Sequence, residues 1–483
     1  MTIDQGTFSL IWIILPLFVG FIIYLLPTLD RVLAIAVALV SFGYGLWHAL
    51  DQSSVVTLQL LDNFGIRLLI DNLSGFFILT NAIVTTAVIL YCWRSDKSAF
   101  FYSQAIILHG SVNAVFVSAD LISVYVALEV ISIAAFLLIA YPRTNRSIWV
   151  GLRYLFVSNT AMLFYLIGAV LVYQSNNSFA FAGLENASTK AIAFIFLGLL
   201  TKGGIFVSGL WLPLTHSEAE TPISAMLSGV VIKAGVFPLV RFSLMMPEID
   251  ANVRFFGMVA ALLGVSYAIF AEDTKRLLAF STVSQLGFIL AAPAAGGFYA
   301  LTHGLVKSAL FLIAGNLPSR NIKELKENPI PLYLWIALAI ASCSIAGFPL
   351  LAGFGAKVLN SKNLVSWQVI GMNVAALGTA ISFAKFIFLP HVSKPATTGV
   401  KKGFWVAIVL LLGGLVLANA FYYEAYTLAN IVKPVVTIAL GWLAHLLIFQ
   451  KVSIKLPRTP ERLNHLIGVM SLMLTFLLWM ELA

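Results

Sequence analysis

Residues 121–141 read LISVYVALEVISIAAFLLIAY, an apolar run whose only charged residue is Glu129. A helix of about 20 such residues is as long as the hydrocarbon core of a bilayer is thick. Glu129 lies more than one helical turn from either end of the run. This stretch therefore predicts a membrane-spanning helix that carries a charge at membrane depth.

The whole chain shares the composition of this stretch. Of its 483 residues, 60% are hydrophobic and only 10% are charged, and a water-soluble domain could not bury that much apolar surface. The two cysteines, Cys92 and Cys343, are far apart in the sequence, so disulfide scaffolds, iron–sulfur clusters and zinc sites are not expected. We interpret the chain as an all-α, polytopic transmembrane helical bundle.

Apolar runs of spanning length follow one another along nearly the whole chain, and they number about sixteen. The first, residues 8–26, lacks the basic flank of a cleaved signal peptide and is expected to stay as a spanning helix. Residues 55–71 differ, because alternating polarity around Asp62, Asn63 and Gly65 predicts a short β-hairpin outside the membrane. The other runs begin near Arg31, Leu73, Phe100, Leu121, Ile148, Ala191, Pro222, Val253, Leu277, Phe298, Ile330, Leu364, Phe404, Asn430 and Asn464.

The basic residues of alternate loops fall into two unequal sets. Cytoplasmic loops are enriched in Lys and Arg, so the richer side is predicted to be cytoplasmic and both termini to face outward. The membrane would be the inner (plasma) membrane or another energy-transducing membrane. The net charge of +9 follows from this bias and from cations within the spans, so it does not call for nucleic-acid binding. The richer side holds Arg31, Arg94, Lys97, Arg143, Arg146, Arg153, Lys275, Arg276, Arg320, Lys323, Lys326, Lys394, Lys401, Lys402, Lys451, Lys455, Arg458 and Arg462, and the other holds mainly Arg67, Lys190, Arg241, Arg254 and Lys362.

Several ionisable residues lie inside predicted spans. Each costs about 3 kcal/mol or more at membrane depth, and so indicates a partner, a hydrated cavity or a function. For Lys357 and Lys385 the alternative is a side chain that reaches the membrane interface. For Glu129 it is a structural ion pair with one lysine. We predict that protons or cations are translocated by Glu129, Lys202, Lys233, His303, Lys307, Lys357 and Lys385.

Histidine adds a group that titrates near neutral pH. His303 lies four residues before Lys307, which places both on one helix face. A histidine that bonds a neighbouring helix, or solvent at the end of a span, is an equal alternative for His303 and the favoured one for His109 and His216. Gln285 can pass on a hydrogen bond but cannot carry the charge, so we interpret it as a wall or water-holding residue.

Glycine and proline interrupt two spans beside a lysine. Gly203 and Gly204 follow Lys202, and residues 347–355, with three glycines and a proline, precede Lys357. Broken helices at membrane depth are typical of the ion sites of transporters, although paired glycines also serve helix packing. The coincidence of break and lysine favours a functional interpretation.

The interrupted spans are the seventh and the twelfth. A five-helix unit that is repeated once must be inverted in the second copy, which is a common plan of transporters. We therefore expect Lys202 and Lys357 to occupy related positions, and likewise Lys233 and Lys385.

Five stretches, taken in order, form a specific set: ALEVISIAAF, TKGGIFVSGLWLPLTHSEAETPISAMLSGVVIKAGVFPLVRF, EDTKRLLAFSTVSQLGFIL, LTHGLVKSALFLIAG and FPLLAGFGAKVLN. This set, over roughly residues 72–390, resembles the antiporter-like subunits shared by Mrp-type cation/proton antiporters and respiratory complex I. The resemblance implies about 14 core helices with inverted five-helix repeats and broken helices 7 and 12, followed by about two C-terminal helices. The corresponding divisions are residues 1–98 with the hairpin, repeats at 99–250 and 251–392, and C-terminal helices at 393–483.

The resemblance also implies roles for six residues. Glu129 and Lys202 would be the charged pair of the first half-channel, Lys233 the link toward the centre, Lys307 the central relay assisted by His303, and Lys357 the exit-side lysine of the second half-channel.

Within this family the closest likeness is to the D-type subunit of Mrp antiporters. Gly209, shortly before WLP, and Gln285, in the tenth helix, stand where complex I relatives often carry histidine. Lys357 argues against one complex I subunit type but not against the others. The chain departs from the KxP of relatives, since it reads KGG from Lys202, and this leaves the local geometry of that break open.

No nucleotide, flavin or metal motif is found, and GFGAK lacks the strand, spacing and Ser or Thr of a phosphate loop. We expect no cofactor and no covalent catalysis in this chain. The likeness predicts a proton- and Na⁺-translocating subunit of a multi-subunit membrane complex, with other membrane subunits and the lipid bilayer as partners. The alternatives are a proton-pumping subunit of an NADH or ferredoxin:quinone oxidoreductase, and a scaffold that only anchors partner subunits.

Overall fold

The computed structural model describes residues 5–51, 53, 55–61, 64–393, 400, 402–452 and 454–482. Within these residues the chain is a helical bundle with four short strands, β1 (Val56–Leu61), β2 (Gly65–Ile70), β3 (Ile330–Pro331) and β4 (His391–Val392). The helices are α1 (Gln5–Leu25), α2 (Asp30–Leu50), α3 (Asn72–Cys92), α4 (Ala99–Val117), α5 (Leu121–Ile139), α6 (Asn145–Asn176), α7 (Thr189–Lys202), α8 (Leu212–Glu218), α9 (Thr221–Met226), α10 (Ile232–Met245), α11 (Pro247–Phe270), α12 (Thr274–Ala291), α13 (Gly296–Ala314), α14 (Ile322–Glu327), α15 (Leu332–Ala346), α16 (Ala352–Lys362), α17 (Val369–Ile387), α18 (Phe404–Leu417), α19 (Leu428–Ala444) and α20 (Leu463–Leu482).

The predicted membrane bundle is confirmed. Among the described residues, 13 helices are long and apolar enough to cross a membrane, or up to 14 when the bent pair of α7 and α8 counts as one span. Of the sixteen predicted runs, 14 correspond to these helices and the bent pair, and two do not. One is α12, which begins with Thr274, Lys275 and Arg276 and is therefore more polar; the other is α15, which has only 15 residues because the chain breaks after it.

Polar residues at the start of several helices satisfy the free backbone N–H groups of the first turn. Asp71 accepts from the third residue of its helix, as do Asp120 at α5 and Asp273 at α12. Thr144 caps α6 in the same way. These caps fix where the apolar runs begin as helices.

The hairpin predicted for residues 55–71 is confirmed. Strand β1 pairs antiparallel with β2, so that Val56 lies opposite Ile70 and Leu61 opposite Gly65. Gly65 has a φ of 122°, a backbone angle that favours glycine. Asp62 and Asn63, the predicted turn residues, lie outside the described residues.

The loops on the side predicted to be rich in Lys and Arg contact one another. Lys97 Nζ lies 2.5 Å from Glu220 Oε2, across two loops far apart in sequence. Arg320 is likewise paired with Asp273 at 2.9 Å. These contacts place the loops of Lys97 and Glu220 on one side, and likewise those of Asp273 and Arg320. The segregation of all the basic loops and the assignment of their side to the cytoplasm stay predictions. Lys394 and Lys401, assigned to the same side, lie outside the described residues.

The last two helices pack at separate places. Helix α19 packs on α17, whereas α20 packs on α6 and α7. The chain between them, residues 450–452 and 454–462, is named here the C-terminal strap. It passes the turn between α11 and α12, where Arg276 forms an ion pair with Glu461 and Arg153 donates a hydrogen bond to the Glu461 carbonyl oxygen.

On the opposite side of the bundle, a buried arginine joins α10 to the start of α3. Arg241 Nη2 donates to Asp71 Oδ1 at 2.9 Å and to Ser74 Oγ at 3.0 Å. The side chain of Arg241 is 6% exposed and that of Asp71 is 24% exposed. Since Asp71 also caps α3, the same carboxylate fixes the helix start and holds α10 against it.

We expect Arg241→Ala to reduce the free energy of unfolding by about 3 kcal/mol, because it leaves a largely buried carboxylate without its counter-ion. The measurement is the unfolding midpoint of the detergent-solubilised chain. Arg146→Ala is the matched control, since Arg146 pairs with Glu218 with 56% of its side chain exposed and should cost less than about 1 kcal/mol. Equal losses in the two variants would contradict this account.

Candidate functional site

The first break predicted in the sequence lies directly after Lys202. Helix α7 ends at this residue, and Gly204 (φ 66°) and Phe206 (φ 54°) then turn the chain before a short 3₁₀ segment and α8. The two halves are bent by 40°. The break places the Lys202 side chain at the end of a half-helix deep in the bundle, where it is 4% exposed.

The second predicted break lies between α15 and α16. Gly347 (φ 92°) ends α15, and Leu350 (φ 79°) precedes the start of α16. Lys357 lies within α16, after its break, whereas Lys202 precedes its own. The expectation that the two lysines occupy related positions is therefore wrong, because they belong to opposite halves of their broken helices.

The amine of Lys202 is held by hydroxyl groups. Its Nζ donates to Ser132 Oγ and to Ser158 Oγ, both at 2.5 Å, and lies 5.7 Å from the centre of the Tyr154 ring. Glu129 is half-buried one helical turn before Ser132 and is close enough to interact electrostatically with Lys202. No described carboxylate forms an ion pair with Lys202, so the implied pair with Glu129 is a coupling at a distance, not a contact.

Lys233 is held by its own helix. The turn before it, residues 227–231, is a π-helix, a widened turn that often marks functional sites. Lys233 Nζ donates to the Gly229 carbonyl at 2.5 Å and to that of Ser228 at 3.3 Å. The amine is fully buried and is stabilised by backbone oxygens alone among the described residues.

Helix α13 brings His303 and Lys307 to the centre of the bundle, on one face as predicted. Lys307 Nζ donates to the Leu278 carbonyl at 2.9 Å and to Ser281 Oγ, and it lies 5.4 Å from the centre of the Phe383 ring. Lys233 and Lys307 both interact electrostatically with His303 and with each other. Three cationic or potentially cationic groups therefore share this region, with no carboxylate bonded to any of them in the described chain.

A small cavity separates His303 from Lys357. Its volume is about 10 Å³, near the least that holds one water molecule. Both ring nitrogens of His303 and the hydroxyl of Ser344, which also line it, have no hydrogen-bond partner among the described residues. Lys357 Nζ donates to the Ala346 carbonyl at 3.1 Å and keeps two further protons to donate. One bridging water would bond the Lys357 amine, the Ser344 hydroxyl and one of the two His303 ring nitrogens.

Lys385 lies apart from the other lysines. It stands near the end of α17, where its Nζ donates to the Ala271 carbonyl at 2.7 Å, in the turn between α11 and α12. Its surroundings include Glu272, Lys326 and His445. Lys385 is therefore placed at the basic side of the bundle, while Lys233 is central, so these two residues do not match each other either.

The other two histidines considered in the sequence analysis, His109 and His216, differ from each other. His109 is held in a polar network among α2, α3 and α4, in which Nε2 bonds Ser41 Oγ at 2.9 Å and Nδ1 bonds Thr85 Oγ1 at 3.2 Å. That is the helix-bonding alternative favoured above. His216 is fully buried, and neither ring nitrogen has a hydrogen-bond partner among the described residues.

Sequence reasoning looked for charged partners and missed the neutral ones. The acceptors of these buried amines are the hydroxyls of Ser132, Ser158 and Ser281 and the backbone carbonyls of Gly229, Leu278 and Ala346. One signal was present, because Ser132 follows Glu129 by three residues and so shares its helix face. Ser158 carried no comparable signal.

We expect Gly347→Ala to destabilise the chain by about 1 to 2 kcal/mol, because its φ is unfavourable for any side chain. The new Cβ would also lie 2.8 Å from Lys357 Cδ and displace that side chain. The measurement is again the unfolding midpoint in detergent. Gly413→Ala is the control, since nothing lies within 4 Å of its Cβ position in α18; a Gly347 variant as stable as this control would show the turn to be wrongly placed.

Comparison with known proteins assigns this arrangement to a family. Residues 118–382 match the family described as "NADH:quinone oxidoreductase/Mrp antiporter, TM". NAD(P)H-quinone oxidoreductase chain 4 1 of Synechococcus elongatus is 29% identical over 400 residues, which cover 73% of this chain and 74% of the relative. NADH-quinone oxidoreductase subunit N of Desulforudis audaxviator is 30% identical over 366 residues, 67% of this chain and 72% of the relative.

A relative from an antiporter is similar as well. A probable K(+)/H(+) antiporter subunit of Rhizobium meliloti, of the type named A/B, is 33% identical over 332 residues, which cover 61% of this chain but only 32% of that longer protein. Among solved structures, the Mrp complex from Dietzia sp. contains a chain with a TM-score of 0.76 and 22% identity, over 96% of this chain and 60% of that one. The archaeal membrane-bound sulfane sulfur reductase contains one with a TM-score of 0.74 and 19% identity, over 91% and 99%. The chain therefore belongs to the family of antiporter-like membrane subunits shared by Mrp antiporters and NADH:quinone oxidoreductases.

Proposed function

We propose that this chain is the D-type subunit of an Mrp-type Na⁺/H⁺ antiporter and that it moves protons along its buried charges. The observation that carries the proposal is the bonding of the lysine amines. Lys202, Lys233 and Lys307 donate to hydroxyl and carbonyl oxygens, not to carboxylates. Because no carboxylate is bonded to these amines, the charges of neighbouring groups determine how readily each lysine releases its proton.

The central region supplies the coupling. In a medium of low dielectric constant, two positive charges near each other repel by several kcal/mol. Protonation of Lys233 therefore disfavours protonation of Lys307, and the reverse. His303 interacts electrostatically with both lysines, and neither of its ring nitrogens has a hydrogen-bond partner among the described residues. A proton that leaves one lysine therefore has a group to receive it.

The two ends of the relay differ in how they respond. At Lys202, a proton that arrives on the amine strengthens its attraction to Glu129, and loss of that proton leaves the carboxylate without a counter-charge. At Lys357, the cavity shared with His303 provides the space for one water molecule, through which a proton would pass between helices α13 and α16. Lys385 would act at the basic side, beside Glu272.

The Mrp assignment is supported by Gly209 and Gln285, where complex I relatives often carry histidine, and by the 33% identity with a relative from an antiporter. The alternative is a proton-pumping subunit of an NAD(P)H or ferredoxin:quinone oxidoreductase. The names of the relatives from Synechococcus elongatus and Desulforudis audaxviator favour that alternative. In both cases the same buried residues would carry the proton, but the energy source would differ.

We expect Glu129→Gln and Lys202→Ala each to lower Na⁺-dependent proton movement at least about tenfold, which is about 1.4 kcal/mol in the barrier. The measurement uses everted vesicles from cells that express the complete complex, with assembly checked by co-purification of the subunits. Lys190→Ala is the control, because Lys190 lies on the same helix as Lys202 but is exposed.

Unchanged exchange in both variants would contradict the relay and favour the scaffold. Proton movement that needs electron transfer to a quinone, and does not respond to Na⁺, would replace the Mrp assignment by its alternative.

A further inference from the structure

A cleft of about 610 Å³ lies between the C-terminal strap and the turn that joins α11 to α12. It is separate from the residues of the proposed relay, apart from a smaller cavity of about 100 Å³ that adjoins it and reaches Lys385. The two share Phe270, Ala271, Glu272 and Ile454. The cleft therefore lies at the end of the spans, on the side of the bundle that is rich in basic residues.

The path of the strap explains why the cleft is present. One end of the strap follows α19, where the Phe449 ring lies 5.9 Å from that of Phe270 in α11. The other end is held by the ion pair of Glu461 with Arg276. Because α19 packs on α17 and α20 packs on α6 and α7, the strap bridges a gap over the end of α11.

The acidic residues of the cleft are all neutralised. Glu272 lies 2.8 Å from Lys323, and this hydrogen bond holds the pKa of Glu272 below its usual range. Asp273 is paired with Arg320, and Glu461 with Arg276.

Two basic residues of the cleft are left over. Lys455 and Arg458 line it and are exposed, and neither forms an ion pair with a described residue. The exposed Lys326 and the half-buried Lys385 add positive charge in the adjoining cavity. After pairing, the cleft carries an excess of positive charge.

Apart from Asn321, the remaining lining is aromatic or aliphatic. Tyr267 and Phe280 belong to the two helices below the strap, and Leu456 closes the cleft from the strap itself. Two unpaired cations above an aromatic and aliphatic floor, at the end of membrane spans, match a ligand that has an anionic head and an apolar body. Basic pockets between helices at the cytoplasmic side bind anionic headgroups in this way.

We propose that the cleft under the C-terminal strap binds one anionic phospholipid, with its phosphate between Lys455 and Arg458 and its acyl chains along α11 between α19 and α20. The strap then lies against the bound lipid, and the lipid fills the gap between α19 and α20. This site does not depend on the proposed transport function.

The test compares binding of phosphatidylglycerol and phosphatidylcholine to the full chain in mild detergent by native mass spectrometry. The wild-type chain should retain phosphatidylglycerol in preference to phosphatidylcholine. The double variant Lys455→Ala/Arg458→Ala should bind phosphatidylglycerol about thirtyfold more weakly, since each of the two basic residues contributes about 1 kcal/mol to binding of an anionic lipid. Lys451→Ala/Arg462→Ala is the matched control, because it removes the same charge from the same strap outside the cleft, and it should bind as the wild type does.

Three outcomes would overturn the proposal. The control could lose as much binding as the double variant, the wild type could show no preference for phosphatidylglycerol, or soluble glycerophosphoglycerol could displace the lipid as well as free lipid does. The last result would assign the cleft to a soluble anion.

Discussion

The bonding of lysine amines inside the bundle is the constraint on which the rest of the structure depends. An ammonium group withdrawn from water needs oxygen acceptors, and the carbonyls of a regular helix are already engaged by its own N–H groups. Lys202 uses serine hydroxyls on α5 and α6, and Lys307 uses a serine hydroxyl and the Leu278 carbonyl of α12. For Lys233 and Lys357 the chain supplies acceptors by interrupting its helices. The end of α15 presents the Ala346 carbonyl to Lys357, and the π-turn before Lys233 presents that of Gly229. For these two lysines, the irregular backbone is what accommodates the buried charge.

The absence of carboxylates bonded to these amines in the described chain has an energetic reason. A buried ion pair is costly to form and more costly to break, so an amine locked to a carboxylate would hold its proton firmly. Serine hydroxyls stabilise the ammonium less strongly and can also bond the neutral amine. The contrast with Arg241 and Asp71 is instructive, since that buried pair joins two helices and lies at the other end of α10 from Lys233.

Much of the fold could be predicted from the sequence, because the hydrophobic runs, the hairpin alternation and the glycines beside lysines are local signals. Helices, hairpin and both breaks lie where these signals placed them. The acceptors of Lys202 could not be predicted, since Ser158 is 44 residues away on another helix. The order of lysine and break was visible in the sequence, because the glycines follow Lys202 but precede Lys357; the expectation that the two lysines occupy related positions did not take that order into account. The π-turn at residues 227–231 had no distinguishing sequence.

The packing of α20 has a consequence for how the protein is made. The chain is synthesised from its N-terminus, so α7, the first half of the first broken helix, is inserted before α20, which packs on it. Until residues 463–482 emerge, the outer surface of α7 that α20 later occupies is left to lipid or to insertion factors. The half-helix that ends at Lys202 is thus covered on this side only after residues 463–482 have been inserted.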